Sequence, residues 1–384
     1  MKELIHPQDK YKMNWVEGST EWGTVKCAVP LDVEVRTEKN GDTVKEKYIF
    51  TNNTEKDIFT QITDIGIYTP FNDDYTTAAE CMTNKCHTHI WCGGETAYVM
   101  AIRMGGEAPH LGLVLNSGSI GGYSIERDLK RISNDRGDFL LHPSPFSLTP
   151  GESYTVSWTL FFHNGKEDFY NKASVYCRKF LFVSADKYVL FDGETSNIEI
   201  RPNFPFTAKD VQILRNGENM DFVIRDNSIR MKEKSGIRGE IKYQICVGGV
   251  HTYLRLLALP SFDDLAKSRC RFIAEKQQYG NEESRLNGAY LIYDNEEDSL
   301  FYSSQYDYNG GRERVGMGIL LALYLQKEYD AVIEKSLLKY AEYVKHELVD
   351  ENTGEVYNDY MRDNSYKRLY NAPWFALFYI ELYK

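Results

Sequence analysis

The chain lacks concentrated positive charge. Its 384 residues hold 45 Lys and Arg against 56 Asp and Glu, which gives a formal net charge of −11. No tract of Lys or Arg occurs anywhere along the sequence. Because nucleic acids and anionic membrane surfaces are bound through basic faces, we expect neither as a partner.

Long apolar runs and a disulfide pattern are missing as well. No stretch of about eighteen apolar residues exists, so no transmembrane helix is expected. The N-terminal segment MKELIHPQDKYKMNW has no apolar core of the kind that signal peptides carry. Seven cysteines, an odd number at irregular spacing, argue against a disulfide framework. We therefore expect a cytoplasmic protein, unless a leader has been removed.

Motifs for metals and cofactors are also absent. Segment 86–92, CHTHIWC, contains Cys and His without the spacing of a structural zinc site. On a strand, His87 and His89 share one face. Cys86 and Cys92 share the other face, which favours buried thiols over metal ligands. Neither a G-x-x-x-x-G-K-S/T loop nor a G-x-S-x-G elbow occurs, so we expect no metal and no cofactor.

Aromatic residues, in contrast, are abundant, with 28 Tyr, 19 Phe and 5 Trp. Tyr and Trp combine an apolar ring face with a polar edge. That combination suits sugar rings, which present C–H faces and hydroxyl rims. Since β-rich domains also favour Tyr and Phe, the composition leaves glycan binding as one of two interpretations.

The first two thirds of the chain carry period-2 runs separated by turn residues. The runs are VKCAVPLDVEV (25–35), TVKEKYIFT (43–51), IFTQITDIGIYT (58–69), AYVMAIRM (97–104), LGLVLN (111–116) and SYTVSWTLFF (153–162). They predict a large antiparallel β-sandwich over residues 1–183, with a helical stretch at 166–182. Shorter runs over 184–260 predict a continuation of the β region or a small β-subdomain.

The period becomes helical near Pro260. Residues 261–384 predict about four helices joined by loops rich in Asp, Glu, Tyr and Arg, the pattern of a partial α/α toroid. The last predicted helix, 368–384, is strongly apolar and has no C-cap. Because helical layers bury such faces against further helices, we expect the helical domain to continue in a further segment or on a partner chain.

Two loop–helix junctions in the helical part concentrate polar and aromatic side chains. The first, YDYNGGRERVGMG, supplies Tyr306, Tyr308, Arg312 and Glu313. Two Arg flanking a Glu after two Tyr could line a pocket for an anionic sugar. Glu313 could equally complement the helix dipole in the first turn.

The second junction, 357–374, precedes and begins the last predicted helix. Its candidate side chains are Asp359, Arg362, Tyr370, Asn371 and Trp374. Because helix ends on one rim of a toroid form a cleft, we expect both junctions to contribute to one site.

The sequence resembles a known family in these and other segments. In the helical part the motifs are GGRERVGMG and RLYNAPWFALFYIELYK. In the preceding β part they are NWVEG, WGTV, APHLGLVL, YSIERD and SNDRGDFLLHP. They resemble the bacterial and fungal six-hairpin glycosidase-like proteins, which pair a β-supersandwich with an α/α toroid. The resemblance implies a multidomain β plus α fold, truncated within the toroid. It also implies action on a carbohydrate, since relatives include polysaccharide lyases of the rhamnose–glucuronate type.

Two reactions suit such a cleft. A glycosidase needs two carboxylates flanking the scissile bond, and Glu313 and Asp359 are the best pair. A lyase needs a base, an acid for the leaving oxygen and a group that neutralises the uronate carboxylate. Tyr308 or Tyr370 could be the base or acid. Arg312, Arg362 or Asn371 could neutralise the carboxylate.

The catalytic candidates are therefore Glu313, Asp359 and Tyr370. The substrate-binding candidates are Tyr306, Tyr308, Arg312, Arg362, Asn371 and Trp374. The abundance of Tyr and Arg favours an oligo- or polysaccharide with uronate groups, cleaved by hydrolysis or β-elimination. The alternative is a non-catalytic carbohydrate-binding or assembly module, completed by a second chain or an oligomer.

Overall fold

The computed structural model describes residues 21–71, 77–126, 138–234, 236, 238–304, 308–365 and 372–384. The chain divides into two compact units, Met1–Ala258 and Leu259–Lys384. The first unit consists mainly of strands, and the second contains four α-helices and two short hairpins among its described residues. A multidomain β plus α architecture is thus confirmed.

The described strands of the first unit are β1 (Val25–Cys27), β2 (Asp32–Asn40), β3 (Thr43–Thr51), β4 (Ile58–Phe59), β5 (Ile65–Tyr68), β6 (Cys86–Trp91), β7 (Tyr98–Arg103), β8 (His110–Ser117), β9 (Ile120–Glu126), β10 (Asp138–Pro143), β11 (Ser147–Leu148), β12 (Ser153–His163), β13 (Leu181–Ala185), β14 (Val189–Phe191), β15 (Thr195–Pro202), β16 (Val211–Arg215), β17 (Glu218–Asn219), β18 (Val223–Arg225), β19 (Ser228–Lys234), β20 (Gly239–Val247) and β21 (Val250–Leu259). Its described α-helices are α1 (Ala78–Asn84) and α2 (Lys166–Tyr176), and a 3₁₀ helix spans Ala208–Asp210.

Two antiparallel sheets share a core in the first part of this unit. Their strand orders are β1-β5-β10-β9 and β2-β3-β12-β8-β7-β6. Side chains of β3 alternate between core and outer positions, as the period-2 run at 43–51 predicted. Residues of both sheets meet in one apolar cluster that contains Tyr48, Ile67 and Trp158.

A carboxylate lies inside this cluster. Glu46 is 2% exposed and accepts hydrogen bonds from Trp158 Nε1 at 2.6 Å and Trp22 Nε1 at 2.9 Å. The Tyr48 hydroxyl donates to the same oxygen at 3.1 Å. Burial raises the pKa of Glu46, and the three donors oppose that rise. The carboxylate therefore joins three ring systems at the centre of the first core.

Helix α2 is shorter than its sequence pattern indicated. The predicted helix over 166–182 ends at Tyr176. Asn203 holds the residues that follow, because its Oδ1 accepts from the Phe180 N–H at 2.7 Å. Its Nδ2 donates to the Cys177 carbonyl at 2.7 Å. A side chain distant in sequence thus sets this helix end, which local periodicity cannot report.

A second pair of antiparallel sheets follows within the first unit. The orders are β13-β15-β19-β18 and β14-β21-β20-β16-β17, and their buried residues form a separate apolar cluster. Glu233 is 3% exposed there and accepts from Arg215 Nε at 2.7 Å and from the Tyr243 hydroxyl. The residues after α2 therefore build a core of their own.

The described strands of the second unit are β22 (Ile292–Asp294), β23 (Ser299–Phe301), β24 (Val349–Asp350) and β25 (Glu355–Val356). Its α-helices are α3 (Phe262–Phe272), α4 (Val315–Leu325), α5 (Ala331–Tyr343) and α6 (Ala372–Tyr383). In this described part of the chain, α3 and α5 each continue into a π-helical turn, at Ile273–Gln277 and Val344–Leu348.

Helix α4 packs closely in this unit. A Cβ added to Gly318 would lie 2.6 Å from the Tyr340 ring and 2.7 Å from the Phe378 ring, so only glycine fits there without displacement. Tyr340 in turn stacks on Tyr290 with ring centroids 4.2 Å apart. Small residues on α4 therefore let aromatic side chains of α5 and α6 approach its backbone.

Helix α6 is buried on one side only. Phe375 and Phe378 are 2% and 0% exposed, whereas Trp374, Leu377 and Ile380 are 42%, 42% and 53% exposed.

None of the helices in the described part of the chain is long and apolar enough to cross a bilayer.

Candidate functional site

Two backbone segments of the second unit lie against each other at the predicted site. The Arg312 N–H donates to the Asn358 carbonyl at 3.1 Å. A Cβ added to Gly311 would lie 1.8 Å from that carbonyl oxygen, which explains why a glycine precedes Arg312. The Tyr343 hydroxyl donates to the Gly310 carbonyl at 3.2 Å. The contact thus brings the two predicted junctions together.

Asp359 is the most enclosed acid at this contact. It is 4% exposed and accepts from the Tyr302 hydroxyl at 2.8 Å and the Tyr360 N–H at 2.9 Å. The Gly310 N–H also donates to it. Burial raises the pKa of Asp359, and these hydrogen bonds oppose the rise. Asp359 therefore links Tyr302, which follows strand β23, to the loop at Gly310 and Gly311 (the glycine loop) and to the turn at Tyr360.

Glu313 and Arg312 lie in the 3₁₀ turn that leads into α4. Their Nε–Oε1 distance is 3.2 Å. The Arg312 side chain is 2% exposed and the Glu313 side chain 18% exposed. An ion pair with one member so deeply enclosed is screened little by water. Of the two predicted carboxylates, Glu313 is thus the more accessible.

Arg362 is held by a different set of groups. Met361 and Arg362 have φ values of 62° and 56°, and the Met361 N–H donates to Glu347 Oε2 at 2.6 Å. The Arg362 Nε lies 3.4 Å from the His346 carbonyl, and its Nη1 lies 3.5 Å from Asp350. The described contacts of Arg362 therefore fix the turn before α6, and none of them is with Asp359.

The aromatic candidates are more exposed. Tyr308 is 49% exposed, and its ring lies 5.9 Å from that of Phe301. Trp374, in the first turn of α6, is 42% exposed. The other predicted site residues, Tyr306, Tyr370 and Asn371, lie outside the described residues.

Sequence reasoning missed Tyr302. Its ring lies 5.7 Å from that of Tyr360, and its hydroxyl is the side-chain donor to Asp359. Burial and the neighbouring carboxylate raise the pKa of Tyr302 above its usual value. The only available signal was its place in the Tyr-rich segment SLFYSSQYDYNGG, one residue after β23 ends.

The histidine pair of β6 was also noted from the sequence. The rings of His87 and His89 lie 5.2 Å apart, and burial is the main cause that lowers the pKa of His87. Within the described ranges, no group of three or more His, Cys, Asp or Glu side chains could hold a metal ion.

The site combines a hydroxyl, an enclosed carboxyl and an ion-paired carboxylate. The raised pKa of Tyr302 keeps its hydroxyl protonated at neutral pH, so it can donate a hydrogen bond. An approaching group can reach the Glu313 carboxylate because its side chain is partly exposed. Tyr308 offers an open ring and hydroxyl next to the glycine loop in sequence. These are groups that can hold and protonate or deprotonate a hydroxylated ligand.

Comparison with known proteins gives a likeness to solved structures. No family model and no curated protein matches the chain. The solved structure of a polysaccharide lyase is 35% identical in sequence and matches with a TM-score of 0.83 over 92% of this chain. The match covers 53% of that lyase, so the chain spans about half of its length. The chain therefore has a polysaccharide-lyase-like fold.

Proposed function

We propose that the protein acts on a uronate-containing polysaccharide by β-elimination. The observation that carries this proposal is the 35% identity and the TM-score of 0.83 with a polysaccharide lyase over 92% of the chain. We further propose the six-hairpin architecture and a rhamnose–glucuronate linkage as substrate. The family resemblance of the sequence motifs supports both.

Elimination needs three functions around the uronate ring. A base removes the proton from C5, the C4–O4 bond breaks, and the electron pair forms a C4–C5 double bond. The departing oxygen takes up a proton and becomes a new reducing end. A cation or hydrogen-bond donor must stabilise the charge that develops on the uronate carboxylate.

We assign these functions among the candidate residues by accessibility. Glu313 and Tyr308 are proposed to exchange protons with the sugar, because both present side-chain surface to solvent. Arg312 is proposed to act through Glu313, since its own side chain is only 2% exposed. Tyr370 remains a candidate for the acid, and Asn371 remains a candidate for the group that binds the uronate carboxylate.

Asp359 fits a positioning role better than the catalytic role predicted for it. Hydrolysis would need two carboxylates reaching one bond, either ~5 Å or about 6.5–9.5 Å apart. Asp359 is only 4% exposed and already accepts three hydrogen bonds. Its burial thus supports elimination over hydrolysis, with Asp359 orienting Tyr302.

The second candidate function is a carbohydrate-binding or assembly module without turnover. One observation favours it, namely that the chain spans 53% of the solved lyase. A partner chain that completes the helical part belongs to this alternative.

The test is turnover of a rhamnose- and glucuronate-containing polysaccharide by the purified chain. Elimination produces ultraviolet absorbance from the conjugated double bond together with new reducing ends. Reducing ends without absorbance indicate hydrolysis and overturn the proposal. If neither absorbance nor reducing ends appear while the polymer still binds, the result indicates the binding module.

Glu313→Gln tests the proposed proton transfer. We expect kcat/KM to fall by about 10²–10⁴-fold, the usual contribution of general acid–base catalysis. Glu297→Gln is the matched control, because Glu297 is exposed in the β22–β23 turn. A Glu313→Gln rate within a few-fold of the control removes Glu313 from the mechanism.

A further inference from the structure

A crevice of about 600 Å³ lies within the first unit. One wall is the outer face of the sheet β14-β21-β20-β16-β17, and the other comes from the end of the first sandwich. Its volume falls within the range of roughly 300–1,000 Å³ that is usual for small-molecule sites.

The first wall presents two glutamine amides. In the β16–β20 ladder, Gln212 pairs with Cys246 and Gln244 pairs with Leu214, so both amides are on the same face of the sheet. Both residues are exposed, and neither amide hydrogen-bonds to a described residue. Each amide can both donate and accept, which matches the hydroxyl groups of a sugar.

The opposite wall presents aromatic faces. Phe146 and Tyr154 stack with ring centroids 4.2 Å apart and planes inclined by 23°. Across the crevice, Tyr253 packs against Trp91 at 4.8 Å. Each of the three lining rings is half-buried, so part of its face remains available to a ligand. Ring faces of this kind suit the C–H surface of a pyranose.

The walls are fixed to each other by hydrogen bonds at one end of the crevice. The Glu95 N–H donates to the His251 carbonyl at 3.2 Å, and the His251 N–H donates to Glu95 Oε2 at 2.6 Å. Next to them, Thr96 Oγ1 donates to Thr252 Oγ1 at 3.0 Å. The crevice is therefore preformed, which lowers the entropic cost of binding.

We propose that this crevice is a second polysaccharide-binding site, specific for uncharged sugar residues. Among the described residues, its ionisable lining consists of Glu95, which is engaged by the His251 backbone, of His251 itself and of the weakly acidic groups of Cys246, Tyr154 and Tyr253. Amides facing stacked rings recognise hydroxyls and ring faces, whereas a uronate carboxylate would find no Lys or Arg among the lining residues. The proposal rests on the proposed function in one respect, that the ligand is a polysaccharide.

The test uses the full chain and a carboxyl-reduced form of the rhamnose–glucuronate polysaccharide. Reduction turns each uronate into a neutral sugar, so elimination cannot occur and only binding is measured. We expect the polymer to retard the wild-type chain in affinity electrophoresis. The double variant Gln212→Ala/Gln244→Ala should bind about 10-fold more weakly, because two amide hydrogen bonds are lost.

Asn40→Ala is the matched control, since it removes an exposed carboxamide at the end of β2. It should be retarded like the wild type. Circular dichroism should show all three proteins equally folded, because every substituted side chain is exposed. Absence of retardation for the wild type, or equal retardation of the double variant, overturns the proposal.

The two proposals fail separately. Retardation without ultraviolet absorbance on the native polymer keeps the crevice and rejects elimination. Absorbance without retardation by the reduced polymer keeps elimination and rejects the crevice. In the double variant, short uronate oligosaccharides should still be cleaved at the wild-type rate.

Discussion

Glu46 shows how much one residue contributes when it satisfies several buried donors. Glu46→Ala leaves the Trp22, Trp158 and Tyr48 donors without this acceptor inside the first core. We expect a loss of about 3 kcal/mol or more in the free energy of unfolding, since each buried unsatisfied donor costs about 1–3 kcal/mol. Urea denaturation followed by circular dichroism measures it. The control is Lys45→Ala, because Lys45 is exposed and adjacent to Glu46 in sequence; it should change the free energy of unfolding by less than about 0.5 kcal/mol.

Glu46→Gln separates the hydrogen bonds from the charge. The amide oxygen can still accept from the three donors, so the variant should be far more stable than Glu46→Ala. The pKa of Glu46 is raised by burial, so its stabilising contribution is complete below the unfolded pKa and is lost as pH rises through the folded pKa. Between acidic and neutral pH the wild type should therefore lose stability relative to the Gln variant. A pH-independent difference would contradict this account.

Glycine has opposite roles in two elements only five residues apart. Gly311→Ala should separate the loop from Asn358, because a Cβ there lies 1.8 Å from the carbonyl oxygen. We expect lower stability and a loss of polysaccharide turnover. Gly316→Ala is the control on α4, where an added Cβ meets no atom within 4 Å. Helix propensity should make that variant more stable by roughly 0.5–1 kcal/mol. Thermal unfolding distinguishes the two, and equal effects would contradict the packing argument.

Strand positions were largely predictable at the level of elements. Period-2 runs predicted strands at 43–51 and 153–162, where β3 and β12 form. Ends were less predictable where distant side chains or backbone geometry decide them. Asn203 ends α2 at Tyr176, and α5 changes to a π-helical turn at Val344. Neither leaves a periodic signal in the sequence.

The candidate site was also predictable only in part, because local clusters of residue types are visible in the sequence whereas burial and long-range contacts are not. Clustering of Arg, Asp and Tyr at two loop–helix junctions indicated segments that the structure places in contact through Arg312 and Asn358. The sequence does not show which side chains are buried, so Asp359 and Glu313 were both predicted to be catalytic although Asp359 is buried and Glu313 is partly exposed. Tyr302 was missed because a single hydroxyl reaching a remote carboxylate has no sequence pattern.

The whole molecule carries a net charge of −11, which bears on its proposed acidic substrate. Like charges repel at long range, and salt screens that repulsion beyond about 8 Å at physiological ionic strength. We expect KM for the native polysaccharide to fall by up to a few-fold when salt is raised from roughly 0.01 M to 0.15 M. The control is binding of the carboxyl-reduced polymer, which should not depend on salt. A KM that rises with salt would indicate that local cations, rather than net charge, dominate association.

The indole rings of the first core also give the molecule an optical signature. Trp22 and Trp158 share one carboxylate, and Trp158 is fully enclosed, whereas Trp374 of the second unit is 42% exposed. Emission from the enclosed ring should be blue-shifted, and that from the exposed ring red-shifted. A Trp374→Phe variant would leave the described indoles only in the first unit. Its fluorescence would then report the opening of the β-sheets separately from that of the helices.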